Sequence, residues 1–330
     1  MNTEGLESSR LEEIFSKVDA NEDLTKEDAL ELLRINNQSE DFYALIQKAN
    51  ELSRKEYGQR GYIFAQIGMN SAPCTGNCKF CSLGRDNFVA EEKSEKTTEE
   101  ILQQAKWTVE EKADALFLMT TADYSIEKFL QTAREVKKLL PDEMMFIANI
   151  GDFNEDTAVR LKEAGFTGVY HIVRMNEGID TDLPVEKRIA TLDAIKKAGL
   201  ELIYCVEPIG PEHTYSQIAD EMLRARDYEV NVMACMKRVG VPGTPLYEKG
   251  EITDLELTKI AACARLVTRP KMSMNVHEPK EMALLAGVNQ LYAEVGMNPR
   301  DISAETGNGR GFTIKNVRDM LAQAEYITHS

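Results

Sequence analysis

The sequence predicts an α/β protein: a full (β/α)8 barrel of the TIM type with an N-terminal helical extension. Two observations carry the prediction. From residue 61 onward, apolar strand-like runs alternate with helix-like segments eight times. The strand runs, such as Ala115-Leu116-Phe117-Leu118-Met119, are continuously apolar, as parallel strands covered on both faces must be. A doubly wound sheet would alternate as well, but eight strict repeats of one unit fit a closed barrel.

In chain order, residues 5–57 read as helices. Leu11, Ile14, Phe15 and Val18 recur at helical spacing. A second helix follows Thr25, favoured by Glu27 and Asp28, and carries Ala29, Leu30, Leu32 and Leu33. A third runs from about Asp41 through Leu45, Ile46, Ala49 and Leu52. This extension, residues 1–58, is expected to pack outside the main domain or to close one end of it. The barrel spans 59–330, with strands at 61–69, 113–120, 144–150, 168–174, 200–207, 230–236, 271–276 and 290–295. Helices are expected near 97–111, 126–139, 155–164, 186–198, 214–226, 254–267, 279–286 and 314–326. Thr98 with Glu99 and Glu100, Ser125 with Glu127, and Asn154 before Glu155 read as helix N-caps. Gly165 and Gly199 stand where helix C-termini belong.

The 330 residues are 43% hydrophobic and 28% charged, enough for a sizeable core. A net charge of −16 argues against nucleic acid or an anionic membrane as partner. The first ten residues are polar and acidic, unlike a signal peptide, and the apolar runs are far short of a membrane span. The expected setting is a reducing cytoplasm.

Six cysteines are present, and three fall within Cys74-Thr75-Gly76-Asn77-Cys78-Lys79-Phe80-Cys81, a C-x3-C-x2-C loop just past the first strand. Three soft ligands this close can hold three corners of a cubane iron–sulfur cluster and leave the fourth iron open. Gly76, Asn77 and Gly84 let the backbone curl around a cluster, and Lys79 puts a positive charge beside it. Structural zinc wants a second paired knuckle, which is missing, and a large Cys-poor chain is no disulfide scaffold.

A C-x3-C-x2-C loop after the first barrel strand, with Phe80 before the third cysteine, resembles the radical S-adenosylmethionine (SAM) enzymes. The C-terminal stretch, 240–330, resembles the biotin-and-thiamin-synthesis-associated segment through Gly243-Thr244-Pro245-Leu246, Ala261 to Val267, Glu278 to Gly287 and Asn289. That segment completes the barrel in the biotin synthase-like group, which includes the [FeFe]-hydrogenase maturase and methylornithine synthase. The resemblance implies a [4Fe–4S] cluster on Cys74, Cys78 and Cys81, with SAM chelated to the open iron. Reduction would then give methionine and a 5′-deoxyadenosyl radical that abstracts hydrogen from a small substrate inside the barrel. It also implies an electron donor such as flavodoxin or ferredoxin, and low oxygen.

Carried over residue by residue, Phe80 would touch adenine, and Glu207 and Ile209 in Glu207-Pro208-Ile209-Gly210 would flank it. Thr120 and Thr121 stand where the family often has Gly-Gly-Glu to receive the methionyl amine, a departure in residue type. Arg188 matches an arginine that pairs with the methionyl carboxylate, a task suited to a guanidinium fork. Arg174 and Glu177, expected at the end of strand four, and Asn149, at the end of strand three, would contact ribose or methionine.

Inside the barrel the sequence offers Tyr204, Arg238, His277 and Glu294 at strand ends. His277 and a carboxylate facing one cavity could orient or deprotonate a polar substrate, with Tyr204 as a third catalytic candidate. Cys205 and Cys235 lie on strands five and six, where a sulfur-inserting enzyme holds a second cluster, but two thiols fall short of the usual set. Cys263 reads as helix packing. The loop 307–311 could bind phosphate or carboxylate. With the turn 298–301 it resembles the radical enzyme of guanylylpyridinol cofactor biosynthesis, whose first cysteine gap is longer. The leading expectation is a radical SAM enzyme of (metallo)cofactor biosynthesis, such as a hydrogenase cofactor. Sulfur insertion and a non-catalytic iron–sulfur carrier are the alternatives.

Overall fold

The computed structural model describes residues 8–295, 298, 302 and 311–329. Eight parallel strands form the core: β1 (Tyr62–Gly68), β2 (Ala115–Met119), β3 (Met145–Asn149), β4 (Gly168–Tyr170), β5 (Glu201–Ile209), β6 (Val232–Lys237), β7 (Ser273–His277) and β8 (Gln290–Glu294). Each pairs with its neighbour, and β8 returns to β1 with Phe64 opposite Tyr292, so the sheet closes. The predicted (β/α)8 barrel is therefore the fold. Alternation along the strands turns Phe64, Phe117 and Tyr292 inward, where their ring centroids meet at 5.2–5.8 Å.

Three helices precede the barrel: α1 (Ser8–Asp19), α2 (Lys26–Arg34) and α3 (Glu40–Tyr57). The outer layer is α4 (Thr98–Glu110), α5 (Ile126–Lys137), α6 (Glu155–Glu163), α7 (Val185–Ala198), α8 (Tyr215–Asp227), α9 (Asp254–Thr268), α10 (Glu281–Leu284) and α11 (Ile314–Gln323). Thr25, Ser125 and Asn154 cap their helices as expected. The cap of α4 is Thr97 rather than Thr98, because only Thr97 stands three residues before Glu100, whose side chain completes a reciprocal capping box. Gly199 ends α7 with φ +66°, a left-handed conformation that favours glycine.

The N-terminal helices flank the barrel instead of closing an end. α2 and α3 pack on α8 and α9. They cover α9 so fully that Leu257 and every residue from there to Thr268 is buried. Two of those residues are cations. Lys259 Nζ donates to the Ile35 carbonyl at 3.1 Å, and Arg265 Nε donates to Ser53 Oγ at 2.8 Å while its Nη2 pairs with Glu56. The seam between extension and barrel is thus apolar with internally paired charges.

β4 is shorter than the predicted 168–174, so Arg174 and Glu177 ride on the loop that follows it. Among the described residues no helix is long and apolar enough to cross a membrane.

Candidate active site

The C-terminal ends of the strands surround a cavity that opens to solvent. Cys74, Cys78 and Cys81 all line it, on the loop leaving β1. This loop is shaped by Asn77, which holds φ +49°. Asn77 Nδ2 donates to Asp86 at 2.8 Å and Asp182 at 2.9 Å, and its Oδ1 accepts the Asp86 N–H. The loop is further tied down where Lys79 N donates to the Asp180 carbonyl and Leu246 N donates to the Lys79 carbonyl. Lys79 Nζ donates to the Ile179 carbonyl at 2.7 Å, so its side chain tethers the 176–183 loop.

Two sulfurs already accept backbone N–H groups: Cys74 Sγ from Ala122 at 3.3 Å and Cys81 Sγ from Leu83 at 3.4 Å. Such bonds favour a thiolate or a cluster-bound sulfur. Burial pushes the Cys78 thiol above its ordinary value, with the Arg174 guanidinium opposing the rise. Among the described residues no three His, Cys, Asp or Glu side chains converge on a single metal ion. A cubane asks for a looser arrangement, since each thiol takes its own iron.

Beside the cysteines stands a charged wall. Arg188, on the first turn of α7, is buried; its Nε donates to the Ile172 carbonyl at 2.9 Å and its Nη1 to Asp152 at 2.8 Å. Glu177, fully covered, lies between Arg188 Nε at 3.4 Å and Arg174 Nη1 at 3.6 Å, and accepts Arg174 N–H and Thr181 Oγ1–H. Arg174 reaches Glu207 at 3.9 Å. The Arg188 guanidinium and His171 hold Asp152 at about 2, against the opposing pull of burial. His171 is pushed down to about 3 by burial and by Arg188, and stays neutral.

Most of the sequence-derived cofactor residues come together here. Phe80, Thr120, Thr121, Asn149, Arg174, Arg188 and Glu207 line the cavity, and Glu177 backs the two arginines. Thr121 is pinned by Asn70, which accepts its N–H and donates to its hydroxyl. Ile209 is not on the cavity. Its side chain lines a separate groove with Tyr215 and Ile218, and Pro208 takes the wall position.

Across the cavity lie His277 and Glu294. Gln66 Nε2 is 3.1 Å from His277 Nε2 and 3.2 Å from Glu294 Oε1, and Asn298 Nδ2 donates to the same oxygen at 2.9 Å. His277 Nε2 also lies 3.5 Å from Glu294 Oε1, so amide, imidazole and carboxylate form one cluster. Tyr204 does not join them. It points outward from β5, donating to Glu221 on α8 and accepting the Val173 N–H. Arg238 lines the cavity with its fork closed on Glu212 and the Gly250 carbonyl.

Cys205 and Cys235 are fully buried, and neither lines the cavity. Met236, next to Cys235, does line it, so strand alternation turns Cys235 toward the helices. Cys263 packs within α9. Of the loop 307–311 only Gly311 falls within the described residues, and of the turn 298–301 only Asn298 does.

Asp152, His171, Gln66 and Asn70 were not singled out from sequence. Asp152 carried one signal: a carboxylate two residues past a predicted strand end, on the face where barrels keep their chemistry.

The fold and this site define an iron–sulfur barrel enzyme. A family model of the radical SAM superfamily matches residues 72–255. The chain belongs to that superfamily. It is similar to the biotin synthase of Sulfurihydrogenibium sp. (strain YO3AOP1), at 25% identity over 291 residues, 83% of each chain. It is 26% identical to the biotin synthase of Pelotomaculum thermopropionicum over 295 residues, 84% of this chain and 90% of that one. The same fold recurs in the FeFe-hydrogenase maturase HydG from Carboxydothermus hydrogenoformans, with a TM-score of 0.79 and 16% identity over 97% of this chain and 79% of that one. It recurs in methylornithine synthase (PylB), at 0.78 and 17% over 94% and 95%.

The cofactors of this family are a [4Fe–4S] cluster and SAM. The residues fit both. Three thiols share one cavity wall, and Arg174 Nη1, though buried there, has no hydrogen-bond acceptor. A ligand carboxylate would supply one.

Proposed function

We propose that this radical SAM enzyme acts on a small polar molecule enclosed in the barrel, as a step in the biosynthesis of a (metallo)cofactor such as that of a hydrogenase. The observation that carries the reading is one cavity with the three thiols on one side and Gln66, His277 and Glu294 on the other. When bound, the cluster and SAM supply a hydrogen-atom abstractor. The chain's own residues do the rest. Cys74, Cys78 and Cys81 ligate three irons. Arg174 and Arg188 take the methionyl carboxylate, and Thr120, Thr121 and Asn149 border the ligand on the β2 and β3 side. His277 and Glu294, held by amides, orient the substrate's polar groups, and the closed barrel keeps water away. Electrons would come from a flavodoxin- or ferredoxin-type donor in the cytoplasm, under low oxygen.

The biotin synthase likeness favours sulfur insertion as a second reading. Neither of the two thiols lines the cavity, and Cys235 is turned toward the helices, which counts against it. Anaerobic reconstitution separates the two: roughly four irons per chain is expected for one cluster, and roughly six to eight would replace it with the sulfur-inserting reading. Incubation with deuterated small-molecule fractions should then transfer deuterium into 5′-deoxyadenosine from the fraction holding the substrate. Transfer only from a deuterated protein fraction would overturn the enclosed-substrate reading.

A further inference from the structure

The wall beside the cluster loop is a series of alternating charges: Asp152, Arg188, Glu177, Arg174, Glu207. Successive members are 2.8, 3.4, 3.6 and 3.9 Å apart. Three carboxylates against two guanidiniums leave one negative charge in excess. The groups around it do not cancel that excess. His171, packed against Asp152, is buried and stands 3.4 Å from it through Nε2, and Arg188 beside it disfavours a second cation. Arg238 is neutralised by Glu212, and Lys79 by Asp180. Asp152 itself does not line the main cavity. It sits behind Arg188, facing a side groove with Tyr124 and Asn154. It therefore acts on the cavity by its field, in surroundings where 18% side-chain exposure leaves little room for screening.

SAM carries a sulfonium and an ammonium against one carboxylate, a net charge of one positive. Its demethylated relative, S-adenosylhomocysteine, is neutral overall. Reductive cleavage adds one electron and breaks a C–S bond. The methionine that leaves is neutral, and so is 5′-deoxyadenosine once hydrogen has come from substrate. We infer that the carboxylate excess of this wall, completed by Asp152, selects the intact cationic cofactor over its neutral relatives and weakens the hold on the cleaved products. The inference rests on reading Arg174 and Arg188 as the carboxylate pair.

Equilibrium binding of SAM and S-adenosylhomocysteine to the reconstituted, oxidised protein tests it. The unsubstituted protein should prefer SAM; equal affinities would overturn the inference at once. Asp152→Asn keeps the acceptor for Arg188 and removes the charge. It should leave the S-adenosylhomocysteine affinity within about twofold and cut the preference for SAM on the order of tenfold, the scale expected for removing one nearby charge from a largely buried site. Glu207→Gln, at the other end of the series, should shift the preference in the same direction and stands in should Asp152→Asn fold poorly. Arg188→Gln separates the two readings, since both ligands carry the carboxylate and both should weaken. If Arg188→Gln weakens neither, the carboxylate assignment is wrong. If it weakens both while the carboxylate variants keep the original preference, the charge selection is wrong.

Discussion

At Gly151 the chain has no room for a side chain. A Cβ there would run into the Ala122 carbonyl oxygen, where the loops leaving β2 and β3 pass each other at the cavity edge. Backbone cannot swing aside as a side chain can, so Gly151→Ala should cost about 1–3 kcal/mol, read from urea denaturation; an unchanged midpoint would show that the two loops part freely. His171 makes a second residue-scale prediction. Its folded value near 3 lies below the 6.5 of an unfolded histidine, so between those pH values the unfolded chain binds the extra proton. Stability should fall as pH drops through that window, and Asp152, depressed from 3.8 to about 2, extends the fall below it. His171→Gln should flatten the slope of unfolding free energy against pH between about 6.5 and 3. A slope as steep as before would assign the dependence elsewhere.

The same scale marks what a sequence can convey. The cysteines were readable because their spacing is local. Asp152 and His171 were not, since their meaning comes from a contact between the segments leaving β3 and β4 that only folding creates. Tyr204 was misplaced for a related reason. A continuously apolar strand has no alternation to fix its phase, and one residue of phase exchanges the barrel interior for the helix layer.

At the scale of elements, the cluster loop is a short segment held by its neighbours. Asn77 does two things in it: it adopts a left-handed backbone and bridges Asp86 and Asp182. Replacing it with alanine loses both, and with glycine only the bridge, because glycine takes φ > 0 without penalty. Cluster loss to a chelator should therefore run in the order Asn77→Ala fastest, Asn77→Gly intermediate, original slowest. Equal rates for the two variants would mean that the backbone conformation contributes nothing. Most helix bounds were legible to within a residue or two because capping chemistry is written locally, though α11 ends at Gln323, three residues short of the expected 326; the one-residue slip at α4 arose from two adjacent threonines that can both cap. The length of β4 was not legible, because Ile172 and Val173 continue the strand-like composition past the point where the strand ladder ends.

For the whole molecule, the alternation of strands and helices was enough to give the closed barrel, and β7 and β8, from beyond residue 240, complete it. The position of the extension was less accessible, since amphipathic helices declare which face they bury but not against what. The structure places them over α9, whose Lys259 and Arg265 are buried with partners in the extension. Removing residues 1–58 would strip those partners and expose an apolar helix, so the truncated chain should be recovered as aggregate. A monodisperse barrel from 59–330 would contradict that account of the interface.

The central claim is that three cysteines and the wall beside them serve reductive SAM chemistry in this barrel. Its most direct test is 5′-deoxyadenosine formation from SAM under dithionite by the anaerobically reconstituted protein. The account predicts product from the intact chain and none above background from Cys74→Ala, Cys78→Ala or Cys81→Ala. A reconstituted protein that holds its cluster but yields no 5′-deoxyadenosine, or a Cys78→Ala variant as active as the intact chain, would contradict it.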